Sequence, residues 1–205
     1  MPPYRKYQHS FLADDNIWPH LSSTVLPGYI MTTFLVLAGT SIITVFIGVG
    51  LAWIVTVYEF PMRRVMEWLC LIPLAMPAYI VAYAYGDLLD YTGFIQSSLR
   101  FIFGWNSIKD YWFPSVYSIG GSVFVMSFVL YPYVYLTSRA AFLRQSMTLI
   151  EVSSTLGKSS LYSFFHIALP MARPAIIIGL ILVIMESMNE FAAFEYLSLI
   201  HISEP

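Results

Sequence analysis

Long charge-free runs alternate with short charged turns along this chain. Tyr29–Tyr58 is a run of thirty residues without a single Asp, Glu, Lys or Arg. At 1.5 Å per residue it reaches about 45 Å, more than the ~30 Å hydrocarbon core of a bilayer, so the pattern predicts a membrane helix that tilts or protrudes. A second apolar run follows Glu59–Glu67 and predicts a helix over 66–86, interrupted by Pro73 and Pro77. Each proline removes one backbone donor and kinks the helix. Broken helices at membrane depth persist where protein or water satisfies the freed carbonyls, which makes Pro73 and Pro77 candidates for a translocation path. A third run predicts a helix over 115–138. A fourth predicts one over 172–194, although its charge-free core is only Ala175–Met185 and its end carries Glu186, Asn189 and Glu190.

The turns assign sides. Arg63, Arg64, Arg139, Arg144, Lys158 and Arg173 fall in two turns on one side, and Arg100 and Lys109 in the turn between them. An excess of Lys and Arg marks the cytoplasmic face. Residues 1–28 then lie outside as a polar to amphipathic segment, in which Trp18, Leu21, Val25 and Leu26 predict a short helix on the membrane surface. Gly39, Gly48 and Gly50 permit close helix approach in the first span. Composition agrees with the pattern: 58% hydrophobic and 11% charged is a polytopic membrane protein, all-α, with about four spans. There is no basic run for nucleic acid. The lone Cys70 excludes an intrachain disulfide, and the scattered His9, His20, His166 and His201 form no metal or catalytic set.

Between the third and fourth runs lies Glu151–Pro170, EVSSTLGKSSLYSFFHIALP. It predicts two short cytoplasmic helices with a bend at Gly157, where glycine takes the positive φ that ends a helix. Pro170 stops the second helix or opens the next. Leu161, Phe164, Phe165, Ala168 and Leu169 recur at helical spacing, an apolar face in need of a partner groove. Glu151, Gly157 six residues on, then Ile167, Leu169 and Pro170 resemble the EAA loop of binding-protein-dependent ABC importer permeases. Val152 and Ser153 replace the two alanines of that loop. The resemblance implies the MetI-like permease core, with coupling helices over 144–170 that dock into a cleft on cytoplasmic ABC ATPase subunits. It implies as coupling residues Glu151, Gly157, Leu161, Phe164, Phe165, Ile167, Leu169 and Pro170. ATP would be bound by the partner, with no cofactor on this chain.

The flanks LIPLAMPAYIVAYAY, DYWFP, LYPYVYLTSRAAF and MESMNEFAAFEY resemble the ferric-iron branch of these permeases. That implies an inner-membrane, multi-pass subunit served by a periplasmic substrate-binding protein, with a second permease half or remainder of the chain to complete it. Thiamine and sulfate permeases share the architecture, so the cargo stays open at this point. The expectation is a fragment: a first helix is missing, 29–196 is a partial permease domain, and 197–205 resembles the in-frame translation of a transposon-end sequencing adapter, CTG TCT CTT ATA CAC ATC TCC GAG CCC.

Glu186 and Glu190 share one helix face, with Asn189 beside them, about 20 Å along the helix from Arg173. Two readings stand side by side. One is an ion-pair latch with Arg100 or Lys109; the other is a transient landing site for a cation at the mouth of the path. A membrane-embedded enzyme would need convergent ionisable residues, and only this end of the chain offers them. A passive channel subunit would not need the Glu151–Pro170 loop.

Overall fold

In the computed structural model of the protein, residues 26–190 are described apart from 106, 108, 109, 112, 114, 116, 146–152 and 154; for Ala78 and Tyr79 only the backbone is. The surface helix expected around Trp18, Glu151, Lys109 and the adapter-like segment 197–205 all lie outside the described residues. The described residues are helical, with no strand among them. In chain order they form α1 (Leu26–Val57), α2 (Arg63–Leu69), a 3₁₀ turn (Ile72–Ala75), α3 (Ala78–Leu89), α4 (Phe94–Phe103), α5 (Ile119–Arg144), α6 (Ser160–Ser163), a π turn (Phe164–Ala168) and α7 (Leu169–Asn189). Three stretches are long and apolar enough to cross a membrane: Leu26–Val57, Ile119–Arg144 and Ser160–Asn189. The bent stretch running from Arg63 to Phe103 makes a fourth if it counts as one span.

The chain divides into two compact units, 1–35 and 36–205. In the first, the described residues are the opening turns of α1, with Leu26, Tyr29, Ile30, Met31 and Phe34 exposed. In the second, the burial pattern is that of a helix in lipid. Val36, Thr40, Thr44, Gly48, Ala52 and Thr56, each four residues apart, are buried, while the bulky Ile42 and Phe46 face outward. Small residues on the inner stripe let backbones approach, which is how helices associate where lipid removes the hydrophobic drive. A Cβ on Gly48 would come within 2.9 Å of the Tyr135 backbone nitrogen, and one on Gly39 within 3.0 Å of Val123 Cγ1. Gly50 has open space around it. Two of the three glycines thus serve close packing, both against α5.

The second apolar run breaks more sharply than the kink read from its prolines. Helix α2 ends at Leu69, the 3₁₀ turn takes Pro73 at its start, and Met76 and Pro77 are extended (ψ 138° and 135°) before α3 begins. The residue before a proline is pushed out of the helical region, so Met76 has to be extended and a second break follows the first. Helix α5 starts on Ser118, whose hydroxyl accepts from the Gly121 N–H at 3.1 Å, and runs on to Arg144. Arg139 and Arg144 are therefore helical rather than in a turn. At the other end of the loop, α6, the π turn and α7 follow without interruption, so Pro170 neither stops a helix nor opens a separate one. The wider turn makes this possible: the Leu169 N–H reaches back to the Phe164 carbonyl, and the ladder is carried past the missing donor of Pro170.

Among the described residues, helices α5 and α7 form the most extensively packed pair. The core around them gathers Val125, Met126, Val129, Leu130, Val134 and Tyr135 from α5 with Ala172 and Val183 from α7.

Candidate functional site

Two features stand out: a bent arm at the arginine-bearing end, and a cavity farther along the same helices. The arm begins with Ser153 and Thr155, both helical, and turns at Gly157, whose φ is 72°. The Lys158 N–H donates to the Ser153 carbonyl at 3.1 Å, the long closing bond that ends a helix on a left-handed residue. The Ser159 hydroxyl then accepts from the Tyr162 N–H and starts α6. The two sides of the bend are joined by a buried 2.7 Å hydrogen bond between the Ser153 and Ser163 hydroxyls. Ser153 is one of the two residues standing in place of alanine in the EAA pattern, and here it supplies the fastening. Tyr58, just beyond α1, touches the arm through its hydroxyl, 3.0 Å from Ser160 Oγ.

The apolar residues of the arm divide into two sets. Leu161 is 65% exposed and Phe165 58%, and Leu156 at the bend is exposed as well. Phe164 turns inward instead. Its ring lies 5.0 Å from Trp53 and 6.5 Å from Phe142, and Trp53 meets Phe142 edge-on at 5.5 Å. Ala168 is fully buried, Leu169 packs on the core, and Ile167 and Pro170 are half-buried. The grouping of Leu161, Phe164 and Phe165 on one outward face is thus corrected: Leu161 and Phe165 stay outward, and Phe164 roots the arm in α1 and α5. Its neighbour Ala168, four residues on, shares the inward side. The Gln145 side chain adds a 3.0 Å bond to the Ala168 carbonyl. Beside the exposed pair, Tyr162 stacks on His166 at 4.1 Å, and the Lys158 ammonium lies 4.9 Å from the Tyr162 ring centre.

The cavity has a volume of about 310 Å³ and is lined by Pro73–Pro77, Val129, Leu130, Tyr133, Glu186 and Glu190. It brings together Pro73 and Pro77 from the break with Glu186 and Glu190 from the end of α7. Asn189 is exposed and does not line it. Tyr133 does, although nothing within LYPYVYLTSRAAF set it apart from the neighbouring tyrosines. Arg100, one of the two cations considered as a latch for the carboxylates, is engaged elsewhere: its Nη1 donates to Tyr111 Oη at 3.1 Å and its guanidinium lies 4.1 Å from the Tyr91 ring centre. Among the described residues, no Lys or Arg lines the cavity. Among the described residues there is no cluster of His, Cys, Asp or Glu able to hold a resident metal.

Residues 44–200 match the family described as binding-protein-dependent transport system inner membrane component. The chain belongs to that family. The permease is 28% identical over 151 residues to the sulfate transport system permease protein CysT of Salmonella typhimurium, covering 74% of this chain and 51% of the relative. It is 27% identical over 146 residues to the molybdenum transport system permease protein ModB of Escherichia coli, covering 71% and 60%. It is 26% identical over 166 residues to the Fe(3+)-transport system permease protein FbpB 2 of Haemophilus influenzae, covering 81% of this chain and 28% of that one. The permease therefore spans 60% or less of the length of each of these relatives.

Proposed function

We propose that the protein is the membrane subunit of an ATP-driven importer, moving ferric iron handed over by a periplasmic binding protein. ATP would be hydrolysed by separate cytoplasmic subunits docked on the arm. The observation that carries the coupling role is the bent arm itself. Leu156, Leu161 and Phe165 expose apolar surface on a turn fixed by Gly157 and the Ser153–Ser163 bond, at the start of the Ser160–Asn189 stretch, whose thirty residues reach about 45 Å and overrun the ~30 Å hydrocarbon core. An exposed apolar helical face that its own chain does not cover suits a groove on a partner. Glu151 belongs to the same proposed surface by its place in the sequence.

The cargo reading rests on charge. Among the relatives, sulfate and molybdenum permeases share about as much identity with this chain as the Fe(3+) permease does, so likeness does not choose. The cavity favours the cation: two carboxylates and a phenol face it, with no basic side chain among the described residues. Hard cations take oxygen ligands, whereas an oxyanion would be repelled by both carboxylates and offered only the Tyr133 hydroxyl as a donor. With two carboxylates and no third acid among the described lining residues, the contact is a passing one rather than a trap. The test is uptake by the full-length permease reconstituted with its ATPase and binding protein. ATP-dependent accumulation of radioiron, uncompeted by sulfate or molybdate, supports the reading; uptake of either oxyanion with no iron transport refutes it.

A further inference from the structure

Besides their apolar packing, the walls of the cavity are joined by charge. Glu67 of α2 and Arg139 of α5 form an ion pair, Oε2 to Nη2, at 2.8 Å. Glu67 lies six residues before Pro73 and Arg139 six residues after Tyr133, so the pair sits toward the arginine-bearing end of both walls. It does not stand alone. Arg63 reaches Glu67 Oε1 from one helical turn away at 3.5 Å, and its Nη2 donates to the Thr56 carbonyl at 3.2 Å. Three elements, the end of α1, α2 and the last turns of α5, are thereby strapped at one point. Cys70, Val81 and Ala82 pack into the core with α5, but α2 itself contributes no buried residue, so the pair is a polar tie between α2 and that helix.

The strength of the strap suits a switch better than a rivet. The side chains of Arg139 and Glu67 are 27% and 23% exposed, so water screens them, and an ion pair of this kind shifts an equilibrium by about two- to fivefold. That is little against unfolding, but enough to bias two conformations of similar energy. We propose that Glu67 and Arg139 are positioning residues for transport: paired, they hold the broken span against α5, and their release is a step in opening the cavity to the cytoplasm. This rests on the reading of the cavity as the cargo path.

The experiment uses the full-length permease with its ATPase in inside-out vesicles, with Cys70 replaced by Ser and Tyr133→Cys as reporter. An uncharged, membrane-impermeant maleimide labels from the cytoplasmic side. Glu67→Gln and Arg139→Gln are each expected to raise the initial labelling rate about two- to fivefold. The exchanged pair, Glu67→Arg with Arg139→Glu, is expected to lower it well below either single variant, though not fully to the starting level because Arg63 then faces a like charge, and a mere packing role would give no such recovery. High salt should raise labelling when the native pair is present and not in Arg139→Gln, and this comparison needs only one substitution in the strap. Unchanged labelling in both Gln variants, or an exchanged pair as leaky as the singles, overturns the proposal. A reporter that stays unlabelled from the cytoplasmic side in every background removes the path reading itself, and the strap role with it.

Discussion

Gly157 offers the sharpest test of the arm, because its structural cost can be separated from its surroundings. Its φ of 72° lies in the left-handed region, and a Cβ placed there meets none of the described residues within 4 Å. Any penalty for a larger residue is therefore backbone strain and not collision. For an L residue that strain is about 1–2 kcal/mol, and it is greatest for a β-branched side chain. Asn tolerates the left-handed region best after Gly. The expected order of arm integrity is thus Gly, then Asn, then Ala, then Val. By RT alone, about 1–2 kcal/mol depletes the bent form some five- to thirtyfold relative to alternatives. The assay is co-purification of the ATPase with full-length permease, together with ATP-dependent uptake, across the four residues. Expression and thermal stability of the membrane bundle should change little, since Gly157 touches none of it. Gly157→Val binding the ATPase as well as the parent, or Asn proving worse than Val, would refute the reasoning from φ.

Other substitutions probe other links. Gly48→Ala should destabilise the bundle by about 1–3 kcal/mol in a detergent unfolding titration, while Gly50→Ala, two residues away in open space, should not. Ser163→Ala should loosen the arm more than Ser153→Ala, as judged by protease nicking at the bend. The first strands the buried Ser153 hydroxyl at a cost of about 1–3 kcal/mol, whereas after the second Ser163 still donates to the Ser159 carbonyl. Glu186→Gln should lower iron flux about tenfold or more with assembly intact, since one unit charge at a partly buried site is worth more than ~1.4 kcal/mol to a trivalent cation. Normal flux in that variant would remove the carboxylate from the path.

Much of this architecture could be read from residue patterns alone, and the exceptions share a cause. Charge-free runs located α1, α5 and α7 because lipid imposes one local rule on every residue that meets it. The bend at Gly157 was legible for the same reason, since positive φ is a property of a single residue. The convergence of Pro73 and Pro77 with Glu186 and Glu190 was only half visible: each was unusual in its own helix, but their common cavity depends on the third wall, which Tyr133 completes. The inward turn of Phe164 was hidden. Helical spacing joins Phe164 to Leu161 and Phe165, whereas the continuity of the arm with α7 hands it to Trp53 and Phe142, far away in sequence. The Glu67–Arg139 pair was hidden in the same way. Glu67 already has Arg63 at helical spacing, and nothing local points to a second arginine on α5.

The central claim is that the outward face of the arm receives the ATPase while the inward face holds the bundle. Site-directed cross-linking tests it directly. With full-length permease and ATPase assembled in membranes, a short bifunctional thiol reagent should join Leu161→Cys and Phe165→Cys to cysteines along the ATPase cleft, with yields that change on adding ATP. Phe164→Cys, one residue from an exposed neighbour but turned onto Trp53, should give no such product. Efficient ATPase cross-links from Phe164→Cys, or none from Leu161→Cys and Phe165→Cys, would contradict the account.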